Sequence, residues 1–205
     1  MATELATRVE SRALYGPPVG RPVVVNVPEM AFLMIDGEGD PNTARQYQDA
    51  LEALFSASYT LRFAVKKSCG FEYRVSPLEG LWWSDDPNDF QAGRKSNWRW
   101  TAMIRQPDEV TREEVDAAIA AAGVRKPLPA LSWIRFGRFN EGECAQVMYM
   151  GPYSAEGPAI KRLHEFIAAS GYRLAGKHHE IYLGDPRRAA PEKLRTVIRQ
   201  PVAPA

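Results

Sequence analysis

The chain has 205 residues, 45% of them hydrophobic, with 26 basic and 25 acidic side chains and a formal net charge of +1. A chain of this size can bury one good core. So small a net charge, with no basic run interleaved with aromatics, speaks against a nucleic-acid partner. No apolar run reaches the roughly 20 residues that cross a bilayer, and the opening stretch MATELATRVESRALYGPP is polar and acidic rather than signal-like, so a cytoplasmic protein without a membrane partner is expected.

Residues 1–21 carry Gly16, Pro17, Pro18 and Gly20 and no sustained period, and read as an N-terminal arm before a single domain over 22–205. Residues 22–37 (PVVVNVPEMAFLMIDG) are β-branched and apolar, broken by Pro28, and predict a strand region ending in the turn Asp36-Gly37-Glu38-Gly39. Asp40-Pro41-Asn42-Thr43 supplies cap chemistry for a long helix toward Lys66, in which Tyr47, Ala50, Leu51, Leu54, Phe55, Ser58 and Leu61 recur at helical spacing and Gly70 is the stop. Two strands follow, over 71–83 and 97–106, separated by a polar loop rich in Asp, Pro, Asn and Gly. A short helix over 111–122 with a Thr111 cap ends at Gly123.

The order then repeats. Strands over 131–139 and 143–151 flank Asn140-Glu141-Gly142, a helix over 153–170 stops at Gly171, and strands over 177–183 and 194–200 close the chain. The tetrapeptide IRQP ends the fourth element both times, at Ile104–Pro107 and Ile198–Pro201, and Phe32–Gly37 in one half faces Val147–Gly151 in the other. A duplicated βαββ unit, with pseudo-repeats over about 22–107 and 131–201, is the economical explanation. The expected class is α+β: one antiparallel sheet, helices on one face, and a central ligand cleft between the halves.

The stretches PLEGLWW (77–83), NWRWTAMIRQPDEV (97–110), MGPYSAE (150–156) and KHHEIYLGDPRRAAPEKLRTVIRQP (177–201) resemble the GyrI-like small-molecule-binding family, over nearly the whole chain from about Val23. That family is similar to the effector-binding domains of multidrug-responsive regulators. No helix-turn-helix domain accompanies the resemblance here, so it implies a stand-alone binder or enzyme. It also implies a central acidic residue on the strand KHHEIYL that meets flat cationic ligands, a role that falls to Glu180.

Strand parity sends His178, Glu180 and Tyr182 to one face and His179, Ile181 and Leu183 to the other. If Ile181 and Leu183 pack under the helices, Glu180 and Tyr182 look into the cleft. A carboxylate removed from water is costly alone, so a flat organic cation that neutralises it gains Coulomb and desolvation terms together. Trp82, Trp83, Trp98, Trp100, Trp133, Tyr149, Tyr153 and Tyr182 lie on or beside predicted strands and are the candidate aromatic walls, a tyrosine hydroxyl of Tyr149 or Tyr182 being able to polarise a ligand or a water.

His178 and His179 point to opposite faces and His164 has no spaced partner, so no metal is expected. Without a Gly-rich phosphate loop or a GxSxG elbow, neither a nucleotide cofactor nor covalent hydrolysis is supported. Cys69 and Cys144 lack a CxxC partner and read as reduced thiols. The expected function is binding of planar, hydrophobic, often cationic xenobiotics. The alternative, which the resemblance implies, is a hydrolase that opens the strained cyclopropane of DNA-alkylating natural products, with Glu180 as base for a water. Inhibition of a topoisomerase rests on the family's name alone.

Overall fold

The structure is a computed structural model and describes residues 12–86 and 94–205. In chain order the elements are β1 (Val23–Val27), β2 (Met30–Glu38), α1 (Arg45–Cys69), β3 (Leu78–Trp83), β4 (Arg99–Gln106), α2 (Arg112–Arg125) and β5 (Arg135–Phe139), then β6 (Gly142–Met150), α3 (Gly157–Ala169), β7 (Tyr172–Leu174), β8 (His178–Tyr182) and β9 (Arg195–Pro204). The fold is α+β, and the pairings described below are antiparallel. The chain divides into two compact units, one of Met30–Phe139 and one joining Met1–Glu29 to Asn140–Ala205.

In the Met30–Phe139 unit the strands run β3-β4-β2-β5. Helix α1 covers β2 and β4 with the stripe Ala50, Ala53, Leu54, Ala57, Leu61 and Val65, all buried. Its small residues let the backbone lie close to the sheet, which is how a 25-residue helix is held along so much of its length. The helix starts at Arg45 without a side-chain cap, because Asp40 instead accepts hydrogen bonds from the backbone N–H and side-chain amide of Asn42. It runs past Lys66 to Cys69 and stops at Gly70, whose φ of 74° lets its N–H reach the Lys66 carbonyl. Helix α2 opens on the Thr111/Glu114 capping box and passes through Gly123 to Arg125.

The strands over 71–83 and 97–106 are shorter than expected, beginning at Leu78 and Arg99, and residues 129–133 form a 3-10 turn before β5. Of the polar loop between β3 and β4, residues 87–93 lie outside the described residues, as do residues 1–11 of the arm.

The second unit runs β1-β6-β9-β8, with the three-residue β7 on the far part of β9. Both units place the strand-helix-strand-strand order in one register. Leu33 pairs with Ile104 and Phe32 with Arg105 in the first unit, as Val147 pairs with Ile198 and Gln146 with Arg199 in the second. The two IRQP copies are therefore equivalent positions of a duplicated motif, and their arginines differ in use. Arg105 is half-buried opposite Phe32, whereas Arg199 has no exposed surface and faces Gln146.

The Arg199 guanidinium donates to Gln146 Oε1 at 3.0 Å, to Glu141 Oε2 at 3.1 Å and to the Leu14 carbonyl at 2.6 Å. Gln146 Nε2 donates to the Ala13 carbonyl at 2.6 Å. The N-terminal segment that reads as an arm is thus tied into the second unit through residues 12–15, a helical turn in which the Leu14 carbonyl accepts from Arg199 and the Ala13 carbonyl from Gln146. His179 Nδ1 lies 2.9 Å from Glu141 Oε1. An ionised carboxylate only accepts, so this nitrogen carries the proton. With Arg199 and His179 both on it, the Glu141 carboxyl stays below its ordinary range although burial opposes ionisation.

Removing one partner of such a buried charge network leaves the other uncompensated. Arg199→Ala should therefore lose about 3–5 kcal/mol in urea unfolding, while Arg105→Ala at the equivalent position should lose about 1 kcal/mol or less.

Candidate functional site

The candidate site lies in the second unit, on β8 and the N-terminal end of α3. Glu180 pairs with Ile198, which pairs with Val147, so these three share one face of the sheet. Ile198 and Val147 pack with Ala159, Leu163 and Ile167 of α3, so the Glu180 face is the helix-covered one. The expectation that Ile181 and Leu183 pack under the helices is corrected: they join Met148, Val197 and Tyr15, on the side where the N-terminal arm lies. The arm supplies the cover that strand parity alone assigned to a helix.

Glu180 is 8% exposed. His178 Nε2 stands 3.1 Å from Oε1 and the Tyr182 hydroxyl donates to Oε2 at 2.8 Å. Residues 178, 180 and 182 are consecutive on one face, so the strand itself lays a donor on each side of the carboxylate. Burial works against ionisation. The His178 contact and charge, and then the Tyr182 hydroxyl, outweigh it and hold the Glu180 carboxyl below its ordinary value of 4.5. Glu180 is accordingly a dry, ionised carboxylate, and His178 carries its proton on Nε2.

Tyr153 closes on this group edge to face, its ring centroid 5.3 Å from that of Tyr182. Burial, followed by the Glu180 charge, raises the Tyr153 hydroxyl above its ordinary value, so it stays neutral. Tyr149 donates to the Pro152 carbonyl at 3.1 Å, lying over Gly151 where a Cβ would stand 2.5 Å from its oxygen. Its proton is spoken for locally, so toward any ligand it offers an oxygen lone pair and a ring edge.

Glu156 and His164 are site neighbours that parity on β8 did not reveal. The signal that finds them is the α3 stripe Glu156-Ile160-His164, at intervals of four. Glu156 stands at the N-cap of α3, and its Oε2 is buried. His164 Nε2 is buried without a hydrogen-bond partner, and burial together with the nearby His178 lowers that imidazole below its ordinary value.

The five tryptophans all belong to the Met30–Phe139 unit. Trp82, Trp98 and Trp100 cluster with Tyr47, the Tyr47–Trp100 pair meeting edge to face at 4.9 Å and the Trp82–Trp98 rings lying tilted with centroids 5.8 Å apart. Trp100 has no exposed surface and lies on Gly37, where an added Cβ would stand 2.3 Å from the indole, so it is core. Trp82 is 4% exposed, Trp83 and Trp98 are half-buried, and Trp133 is 43% exposed in the 3-10 turn before β5. Among the described residues no group of three or more metal-binding side chains occurs, and no helix is long and apolar enough to cross a membrane.

Residues 21–203 match the family of GyrI-like small molecule binding domains, and the chain belongs to it. An uncharacterized conserved protein of Listeria innocua is 39% identical, with a TM-score of 0.88 over 96% of this chain and 98% of that one. A structure described as a hydrolase from Listeria innocua is 38% identical, with a TM-score of 0.82 over the same shares. The C-terminal domain of EcmrR, at 13% identity and a TM-score of 0.58 over 90% of this chain and 98% of that one, shares the fold alone. No curated protein matches the chain.

Because the folded-state Glu180 and Glu141 carboxyls lie below their ordinary value, their contribution to stability is complete above about 4.5 and is lost as pH falls through the lowered values. Unfolding free energy measured against pH should fall on that acid side, and the slope should be shallower in Glu180→Gln.

Proposed function

We propose that this chain binds flat, hydrophobic, cationic small molecules, with the Glu180 carboxylate as charge partner and Tyr153 and Tyr182 as aromatic walls. The observation that carries this is a buried carboxylate kept ionised by donors on its own strand. Such a group has already lost its water, so a cation brought against it gains attraction in a low-dielectric setting without a fresh desolvation cost on the protein side. The tyrosines beside it supply π faces, to which an organic cation is drawn by about 0.5–2 kcal/mol each. Membership in a family of small-molecule-binding domains supports a ligand of this size class.

A second reading is favoured by the 38% identical relative described as a hydrolase. In it Glu180 orients a water toward a strained ring and takes its proton as the oxygen bonds to a ring carbon. The C–C bond electrons pass to the attached conjugated carbonyl, whose oxygen is then protonated. A carboxylate held below its ordinary range is a weak base, so this chemistry suits an electrophile already driven by ring strain, where placement contributes more than basicity. The residues that would bind a cation would here bind the electron-poor ring system beside the cyclopropane.

Glu180→Gln should remain folded and weaken binding of a planar cationic dye by more than about tenfold, or roughly 1.4 kcal/mol, in a fluorescence titration. Unchanged affinity in a folded variant removes Glu180 from the site. Incubation with a cyclopropane-bearing alkylating agent, followed by mass-resolved chromatography, separates the two readings: multiple turnovers abolished in Glu180→Gln establish hydrolysis, and binding without product leaves sequestration.

A further inference from the structure

The strand register allows the two halves of the duplicated motif to be compared rung by rung. Ile104 and Ile198 are equivalent, so Ala102 and Thr196, two residues earlier on β4 and β9, are equivalent as well. In the Met30–Phe139 unit Ala102 pairs with Ile35 on one side and Gly80 on the other, a rung made of buried apolar residues. In the second unit Thr196 pairs with Tyr149 on one side and Tyr182 on the other, so the same rung carries three hydroxyls. The first copy folds without them, and the fold alone therefore does not account for them in the second.

Both tyrosines have committed their protons, Tyr149 to the Pro152 carbonyl and Tyr182 to Glu180. Thr196 has not: it has no exposed surface, and its Oγ1 is buried with no hydrogen-bond partner. A buried hydroxyl left unmet weakens a fold, and valine would fill the same outline with equal preference for a strand. Thr196 shares the α3-covered face with Glu180, whose partner Ile198 is the next residue of β9 on that face. Diagonal neighbours of this kind stand roughly 7–8 Å apart. The two units also close the rung differently. Trp82, two residues beyond Gly80, lies back over it, so that a Cβ on Gly80 would stand 2.7 Å from the indole nitrogen. Two residues beyond Tyr182 stands Gly184, which has no ring to fold back.

We propose that Thr196 is the floor of the ligand site and sets its specificity, donating its hydroxyl proton to a neutral acceptor of a flat ligand, a carbonyl or ether oxygen one ring away from the charge on Glu180. The inference rests on the reading of Glu180 as a cation's partner for where the ligand sits. The ligand's ring takes the part that the Trp82 indole plays in the first unit. β6 and β8 both run antiparallel to β9, and on them Tyr149 leans forward to Pro152 while Tyr182 leans back to Glu180. A flat group entering where the two rings part comes down on Thr196, with Tyr153, edge-on to Tyr182, giving way to admit it. The recognised atom is an acceptor because a ligand donor would be served by either tyrosine oxygen, whereas the threonine alone of the three has a proton to give.

The test uses the intact chain and two matched pairs of fluorescent probes, N-methylquinolinium with its 6-methoxy derivative and their neutral outlines, naphthalene with 2-methoxynaphthalene. The wild-type chain should bind the methoxy member of the cationic pair about fivefold tighter, the worth of one neutral hydrogen bond. Thr196→Val should bind both members equally, and Thr196→Ser should restore the preference. Thr196→Val should also unfold at the same urea concentration as the wild type or a higher one, as a hydroxyl with no structural partner requires. A preference that survives in Thr196→Val overturns the proposal, as does a marked loss of stability in that variant or no methoxy preference in either pair. If only the neutral pair binds, with a preference that Thr196→Val abolishes, the cation reading fails and the role of Thr196 stands. If the cationic probes bind equally well and lose affinity in Glu180→Gln, the cation reading stands and Thr196 is removed from the site. Binding of none of the four probes overturns both.

Discussion

A carboxylate taken out of water stays ionised only when donors replace the lost solvation, and Glu180 meets that condition with its own strand neighbours. His178 and Tyr182 sit two residues to either side, so the β period alone delivers one donor to each oxygen. The arrangement requires β8 to be regular and its face to be closed. β9 fixes the regularity through the register Glu180↔Ile198, and α3 closes the face through Leu163 and Ile167 packed on Ile198. What the helix brings to the charged end of that face is Glu156 and His164 rather than more hydrocarbon.

A second buried charge on the other face of the same strand does structural work. His179, the neighbour of His178, turns away from the site toward Glu141, which Arg199 also holds, and Arg199 reaches on to the Leu14 carbonyl. Adjacent histidines in one strand thus serve two networks, one around the candidate site and one anchoring the N-terminal segment. The divergence of the IRQP copies follows from the partner strand. Phe32 opposite Arg105 offers an aromatic ring, while Gln146 opposite Arg199 offers an amide oxygen that a buried guanidinium needs.

Much of this architecture was legible in the sequence because it is written in short-range patterns. The repeated order of elements, the Thr111 cap, the Gly70 stop and the parity of the strand His178–Tyr182 all depend on spacings of a few residues. Element ends were less legible: Asp40 spends its side chain on Asn42, so the helix that its cap chemistry announced begins later, at Arg45. Which face of β8 the helix covers was not legible, because the competing cover comes from Tyr15, more than 160 residues away in sequence. Trp100 gave no sign of its full burial either. Its environment is set by Gly37 across the ladder, and an alternating strand pattern does not say which aromatic meets a glycine. Glu156 and His164 were hidden for a related reason, since a helix stripe announces polar residues without naming the strand beneath them.

In the proposed site charge is the organising feature, with shape and aromatic contact secondary. The most direct measurement is a pair of titrations of the unmodified chain with a flat monocation and its neutral isostere, identical in outline. The cation should bind at least about tenfold tighter, a difference of roughly 1.4 kcal/mol. Equal affinities would contradict it, because a dry ionised carboxylate in contact with the ligand must distinguish the two.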